Sequence, residues 1–275
     1  MKKLTLIMTS LALMLFSFIH TTKAEAFIIQ NYTVEVSVDG VDRKYDIFHP
    51  RFMGDKEKIL LIALHGGGGN PSAFKDKTGL DKAAKENGWI VVFPKGKGRN
   101  WNVGDGLGSS ENDLKFINTI IEQVEPDKTI VIGHSRGAMM ALNIMCNRND
   151  IISVVSVSGT LNTDCESSVG TSVMFIHGGE DENVPWEGNE KFNPVEYGII
   201  TVLDHNQCDY SSTIIIINTD ELLDKTIECN YEVMLELVYL RNGGHGWPGS
   251  EDYSEVITYN ATDQSLIFFE NVIEE

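Results

Sequence analysis

The sequence predicts an α/β fold: a mainly parallel sheet with helices on both faces, in one domain. Three observations carry that expectation. Short, continuous apolar runs recur at 59–64, 89–93, 129–132, 152–157 and 173–176. Such runs are what strands buried on both faces require, because crossover helices cover a parallel sheet on each side. Helical patterns fill the gaps between them, at 72–86, 111–124, 137–147, 189–206 and 262–272. Twenty-five glycines against seven prolines suit many tight strand-to-helix turns.

The remaining elements follow the same reading. Residues 32–38 alternate apolar and polar and predict an edge strand. Residues 44–48 predict its partner, with Asp39-Gly40 as the turn between them. Residues 232–240 form the last strong strand, and Thr262 or Asp263 is the expected N-cap of the closing helix. One segment breaks the rhythm. Between Cys208 and Cys229 come four isoleucines, Ile214 to Ile217, a polar turn and Lys225-Thr226-Ile227. This predicts a hairpin tied at its base by a disulfide and standing off the main sheet.

Composition bounds the function. The chain has 275 residues, 40 acids and 22 bases, for a formal net charge of −18. That excess excludes nucleic acid, whose phosphates need lysine and arginine, and it excludes docking on anionic lipid. Lys2 and Lys3, the apolar run from Leu4 to Ile19, and Ala24-Glu25-Ala26 form the three parts of a secretory signal. Residues 1–26 are therefore expected to be a leader cleaved near Ala26, with 27–275 a single domain that is secreted or periplasmic, free of the membrane, and monomeric. Export suits disulfides. Of the three connectivities open to Cys146, Cys165, Cys208 and Cys229, pairing of sequence neighbours is the simplest. No CxxC spacing and no histidine cluster accompanies these cysteines, so neither a metal nor another cofactor is expected.

Local motifs carry the chemistry. Gly133-His134-Ser135-Arg136-Gly137 follows the 129–132 strand and precedes a helix. In that context G-x-S-x-G is a strained turn that lifts the serine above the sheet edge, as in α/β-hydrolases. A serine is a poor nucleophile without a base oriented by an acid, and in this fold the order is serine, acid, histidine. His245, in Gly243-Gly244-His245-Gly246-Trp247-Pro248 after the last strong strand, is the expected base; His177 falls in a strand-end turn and His205 in a helix. Asp181 is the expected acid, with Glu180 and Glu182 as competitors in the loop after 173–176. The glycines of His65-Gly66-Gly67-Gly68-Gly69 allow close backbone approach to a developing oxyanion, so Gly67 and the amide of Arg136 are the expected donors. The run lacks the Gly-Lys-Ser/Thr ending of a phosphate loop.

Over nearly all of residues 27–275 the sequence resembles the secreted polyhydroxybutyrate depolymerases and feruloyl or acetylxylan esterases. The blocks that carry the likeness are His-Gly-Gly-Gly-Gly-Asn at 65–70, Arg99-Asn100-Trp101-Asn102, Gly-His-Ser-Arg-Gly-Ala-Met-Met at 133–140, His-Gly-Gly-Glu-Asp-Glu-Asn-Val-Pro-Trp at 177–186 and Gly-Gly-His-Gly-Trp-Pro-Gly at 243–249. The resemblance implies an α/β-hydrolase fold, a Ser135–Asp181–His245 triad, and Trp101, Asn102 and Trp186 beside the substrate. It also supports neighbour pairing of the cysteines. The family's paired aspartate is replaced by Glu111-Asn112-Asp113, where Ser110 and Asp113 are expected to cap a helix.

The expected function is that of a serine carboxylic-ester hydrolase. Only residues 158–172 separate two of the strands, too few for a large lid, so an open cleft for bulky or polymer-borne esters is expected. The rival readings are a serine peptidase or other acyl hydrolase on the same fold, and a non-catalytic binding protein.

Overall fold

The computed structural model describes residues 28–104, 110–165, 170–251, 253 and 259–274. The expected leader, residues 1–26, lies outside them, as do residues 105–109 of the loop after Trp101.

The described chain opens with a hairpin. β1 (Ile29–Val38) pairs antiparallel with β2 (Val41–Pro50), with Val38 opposite Val41. Asp39 and Gly40 form the turn at φ 51° and 78°, as a two-residue hairpin that matches the strand twist demands. Eight strands follow: β3 (Ile59–Leu64), β4 (Ile90–Pro94), β5 (Lys128–His134), β6 (Ile151–Val157), β7 (Ser172–Gly178), β8 (Ile214–Asn218), β9 (Leu222–Glu228) and β10 (Met234–Leu240). They form one ten-stranded sheet in the order β1-β2-β4-β3-β5-β6-β7-β10-β9-β8. From β4 through β10 neighbouring strands are parallel; the two ends of the sheet are antiparallel.

Every residue of β3, β4 and β7 is buried, because the sheet is covered twice. The helices are α1 (Pro71–Thr78), α2 (Lys82–Glu86), α3 (Asp113–Val124), α4 (Arg136–Asn147), α5 (Val195–His205) and α6 (Ala261–Glu274). Phe116, Met140, Ile144, Ile199 and Val202 of α3, α4 and α5 close one face. Phe74, Ala83, Leu266 and Phe269 of α1, α2 and α6 close the other. Among the described residues, no helix is long and apolar enough to cross a membrane.

Local chemistry moves several expected boundaries. The 72–86 helix divides where Gly79 ends α1 in the left-handed conformation at φ 63°. The 189–206 helix starts only at Val195. Pro194 holds an extended ψ of 145°, and the Asn189 carboxamide accepts the amides of Lys191 and Phe192 in a turn of its own. Asn112, not Ser110 or Asp113, caps α3 by accepting from the Lys115 amide at 3.0 Å. Asn260 accepts from the Asp263 amide at the start of α6. The expected cap, Thr262, is buried and spends its hydroxyl on Trp247 and Thr78. The largest correction concerns the isoleucine hairpin. It does not stand off the sheet: β9 pairs antiparallel with β10, and β8 becomes the sheet's outer edge. The cysteines form the neighbour pairs Cys146–Cys165 and Cys208–Cys229.

Candidate active site

Four loops leave the C-terminal ends of β3, β5, β7 and β10, all on one edge of the sheet. Such an edge is where open α/β sheets bind ligands. The loop after β5 is the tightest. Ser135 sits at φ 54°, a strained value for a residue with a side chain, and its amide donates to Val157 O at 2.8 Å at the end of β6. The flanking glycines are required by packing. A Cβ on Gly133 would meet the Gly137 carbonyl at 2.2 Å, and one on Gly137 would meet Leu64 O at 2.1 Å. The turn therefore places the hydroxyl at the start of α4, where the helix dipole adds partial positive charge.

The side chains expected to work together do meet. His245 Nε2 lies 2.9 Å from Ser135 Oγ, and His245 Nδ1 lies 2.8 Å from Asp181 Oδ2. The second carboxylate oxygen of Asp181 accepts the amides of Asn183 and Val184 at 2.9 and 2.8 Å. Burial works to raise the Asp181 pKa, but the hydrogen bond and charge of His245 and the Val184 amide outweigh it and hold it below the ordinary value. An ionised carboxylate on Nδ1 leaves Nε2 as the nitrogen that faces the serine. Glu180 and Glu182, the competing acids, are exposed. His177 is buried; its Nε2 donates to Val184 O at 2.9 Å, and burial depresses its pKa, so it braces the acid loop. His205 closes α5.

His134, the residue before Ser135, has a structural place that the motif alone does not assign. Its ring stands 5.2 Å from the His245 ring and 6.3 Å from Trp247. Burial first, then the neighbouring His245, depress its pKa to about 3. It therefore stays neutral beside His245. Packed against the His245 and Trp247 rings, it supports the histidine loop, whose Gly246 carbonyl accepts from Ser158 Oγ at 3.2 Å just past β6.

The glycine run after β3 packs over the elbow. A Cβ on Gly66 would lie 3.5 Å from Ser135 Cβ, and one on Gly67 would lie 3.3 Å from Arg136 Cγ. The amides of Gly68 and Gly69 are committed to Arg99 O and Gly66 O at 2.8 and 3.0 Å. That leaves Gly66 and Gly67 as the donors of this run beside Ser135. His65 is buried and braces the loop, its Nδ1 donating to Gly66 O while its Nε2 accepts from the Gly96 amide.

Trp101 requires a correction. It is fully buried and offers no face to a ligand. Its Nε1 donates to His65 O at 2.7 Å and its ring packs 4.9 Å from the His65 ring, so it supports the glycine loop from beneath. Asn102 is likewise occupied: its amide donates to Asp113 Oδ2 at 2.6 Å and its carboxamide to Glu111 O at 3.2 Å. Asp113 in turn forms a buried ion pair with Arg43 at 2.5 Å, stacked over Phe116. Trp186 is half-buried, packing edge-on against His177 and Tyr239, and borders a groove of about 510 Å³ that α5, β9 and β10 line.

Residues 109–214 match the family model described as phospholipase/carboxylesterase. The chain is 27% identical over 143 residues to a Nocardia uniformis subsp. tsuyamanensis protein named as esterase NocK, covering 47% of this chain and 42% of that one. It is 31% identical over 121 residues to feruloyl esterase B of Piromyces equi, covering 40% of this chain and 22% of that one. The matched regions thus span less than half the length of either curated relative. Among solved structures, the acetyl xylan esterase from Aspergillus awamori superposes with a TM-score of 0.59 at 16% identity, covering 87% of this chain and 99% of that one. Strand order, elbow and superposition agree, and the chain has the α/β-hydrolase fold.

Proposed function

We propose that the chain is an exported serine carboxylic-ester hydrolase in which Ser135 is the nucleophile, His245 the base and Asp181 the acid that orients it. The single observation behind this reading is the unbroken relay of 2.9 and 2.8 Å from Ser135 Oγ through His245 to Asp181. His245 Nε2 takes the Ser135 proton as Oγ attacks the ester carbonyl carbon. The amides of Gly67 and Arg136 receive the oxyanion, each donor contributing about 3 kcal/mol. The proton then passes to the departing alkoxide, leaving an acyl-enzyme. Water activated by the same histidine releases the acid and restores Ser135.

The substrate class in this reading is a bulky or polymer-borne ester. Supporting it, residues 158–171 pass between β6 and β7 without a helix among those described. Export is compatible with two disulfides. The test is labelling with a fluorophosphonate, together with hydrolysis of feruloyl, acetyl-xylan, hydroxybutyrate-oligomer and nitrophenyl esters. Ser135→Ala should abolish both; labelling that persists in the variant would refute the assignment.

A further inference from the structure

The two edges of the sheet are built on opposite rules. Along β1 the exposed residues are Gln30, Asn31, Thr33, Glu35 and Ser37, with Tyr32 the one exposed aromatic among them, and Glu35 pairs with Lys44 of β2. Polar and charged side chains are how a sheet edge is kept from pairing with another chain. At the other end, β8 is Ile214-Ile215-Ile216-Ile217-Asn218, and all five residues are exposed. The four isoleucines are 56, 58, 55 and 38% exposed.

Register gives these side chains their faces. Ile215 stands opposite Lys225, on the α5 face of the sheet; Ile214 and Ile217 stand opposite Thr226 and Asp224, on the α6 face. The shift between Ile215 and Ile217 leaves Ile216 unpaired in a bulge. A strand that is apolar on both faces has the sequence of a sheet interior, yet this one lies outermost. Exposed Tyr210 and Ile200 extend the apolar surface on the α5 side, where both line the groove beside Trp186.

We propose that β8 is a self-association edge, across which two copies of this chain pair antiparallel about a two-fold axis to join their sheets. Two features select a second copy as the occupant. The free side of a β-strand offers alternating amides and carbonyls, and only another strand satisfies them in register. The stretch Tyr210 to Thr219 has no charged side chain, in a chain whose net charge of −18 otherwise repels its own kind. Antiparallel pairing about a two-fold axis sets this neutral apolar stretch against itself, which closes the assembly at two and covers both exposed edges at once. The edge lies three strands beyond β7, so the loops that hold Ser135 and Asp181 stay open in the pair.

Sedimentation velocity of the chain lacking residues 1–26, between about 1 and about 100 µM, tests this. The expected result is a concentration-dependent dimer. The double substitution Ile214→Lys and Ile216→Lys should weaken it at least about 100-fold, because it buries unpaired ammonium groups. Hydrolysis of a small nitrophenyl ester should be unchanged in the variant, which reports that it is folded. Ile216→Cys, at the middle of the strand and nearest the axis, provides a second route: it should give a disulfide-linked dimer on a non-reducing gel. A wild type that stays monomeric across the range overturns the proposal. So does an Ile216→Cys protein that dimerises no faster than one carrying the cysteine at Ser37 on the β1 edge. Adsorption of a monomeric wild type to insoluble polyester, lost in the lysine variant, would also overturn it by assigning the strand to a polymer surface.

Discussion

Asp181 offers His245 one carboxylate oxygen at 2.8 Å while its other oxygen is fully taken by the amides of Asn183 and Val184. The carboxylate thus has no freedom to turn, and the ring it holds has one orientation. Asp181→Asn keeps the shape but replaces an acceptor with an amide that cannot serve both sides. We expect kcat to fall about 10³- to 10⁴-fold with KM little changed, measured on a nitrophenyl ester. A loss of less than tenfold would mean that the orientation of His245 is set elsewhere.

The Trp101 indole donates to His65 O in a fully buried site. Trp101→Phe retains most of the ring and strands that carbonyl without its partner. The expected cost is about 1–3 kcal/mol in urea unfolding. Because the carbonyl belongs to the residue before Gly66, kcat should fall more than affinity for substrate. An unchanged kcat would show that the glycine loop does not depend on this bond.

The Arg43–Asp113 pair is buried on both sides and holds the Asn102 amide. Arg43→Met leaves a buried carboxylate unpaired and should destabilise the protein by about 3–5 kcal/mol. Replacing both partners, Arg43→Met with Asp113→Leu, should recover much of the loss of the pair itself. A double variant as unstable as the single one would indicate that the Asn102 contact is what matters.

Asp224 and Glu236 stand diagonally across β9 and β10. Burial raises Asp224 to about 6; burial and then the Asp224 charge raise Glu236 to about 8. In the unfolded chain such carboxylates release their protons near pH 4. The native state therefore binds more protons over this range, and stability falls as pH rises from about 4 through 6 to 8. Glu236→Gln should flatten the upper part of that decline and raise the thermal midpoint at about pH 9 relative to wild type. Identical pH profiles for the two proteins would remove the pair as the cause.

Much of this was readable in one dimension because it depends on local pattern. A strand covered on both faces must be apolar throughout, so β3, β4 and β7 announce themselves. Gly133 and Gly137 mark the elbow because any side chain there collides with backbone. Chain order also puts Asp181 and His245 after strands that end on the sheet edge of Ser135, and there the three side chains meet. The resemblance sets Trp101 beside the substrate, but the sequence does not tell whether its ring lies above the glycine loop or beneath it. Only the packing of its ring on His65 distinguishes the two. The split of the 72–86 helix and the late start of α5 turn on the conformations of Gly79 and Pro194, which periodicity does not register.

The interior strands, the strained turn at Ser135 and the chain order of Ser135, Asp181 and His245 follow from the sequence alone. These are set by side-chain volume, glycine geometry and position at strand ends, all local properties. The tertiary structure alone decided that Arg43 and Asp113 would meet 70 residues apart and that His134 would brace His245. It also decided that four isoleucines would line an open edge rather than a detached hairpin. Those outcomes depend on which surfaces face each other after the chain has closed, and no local pattern of residues encodes that.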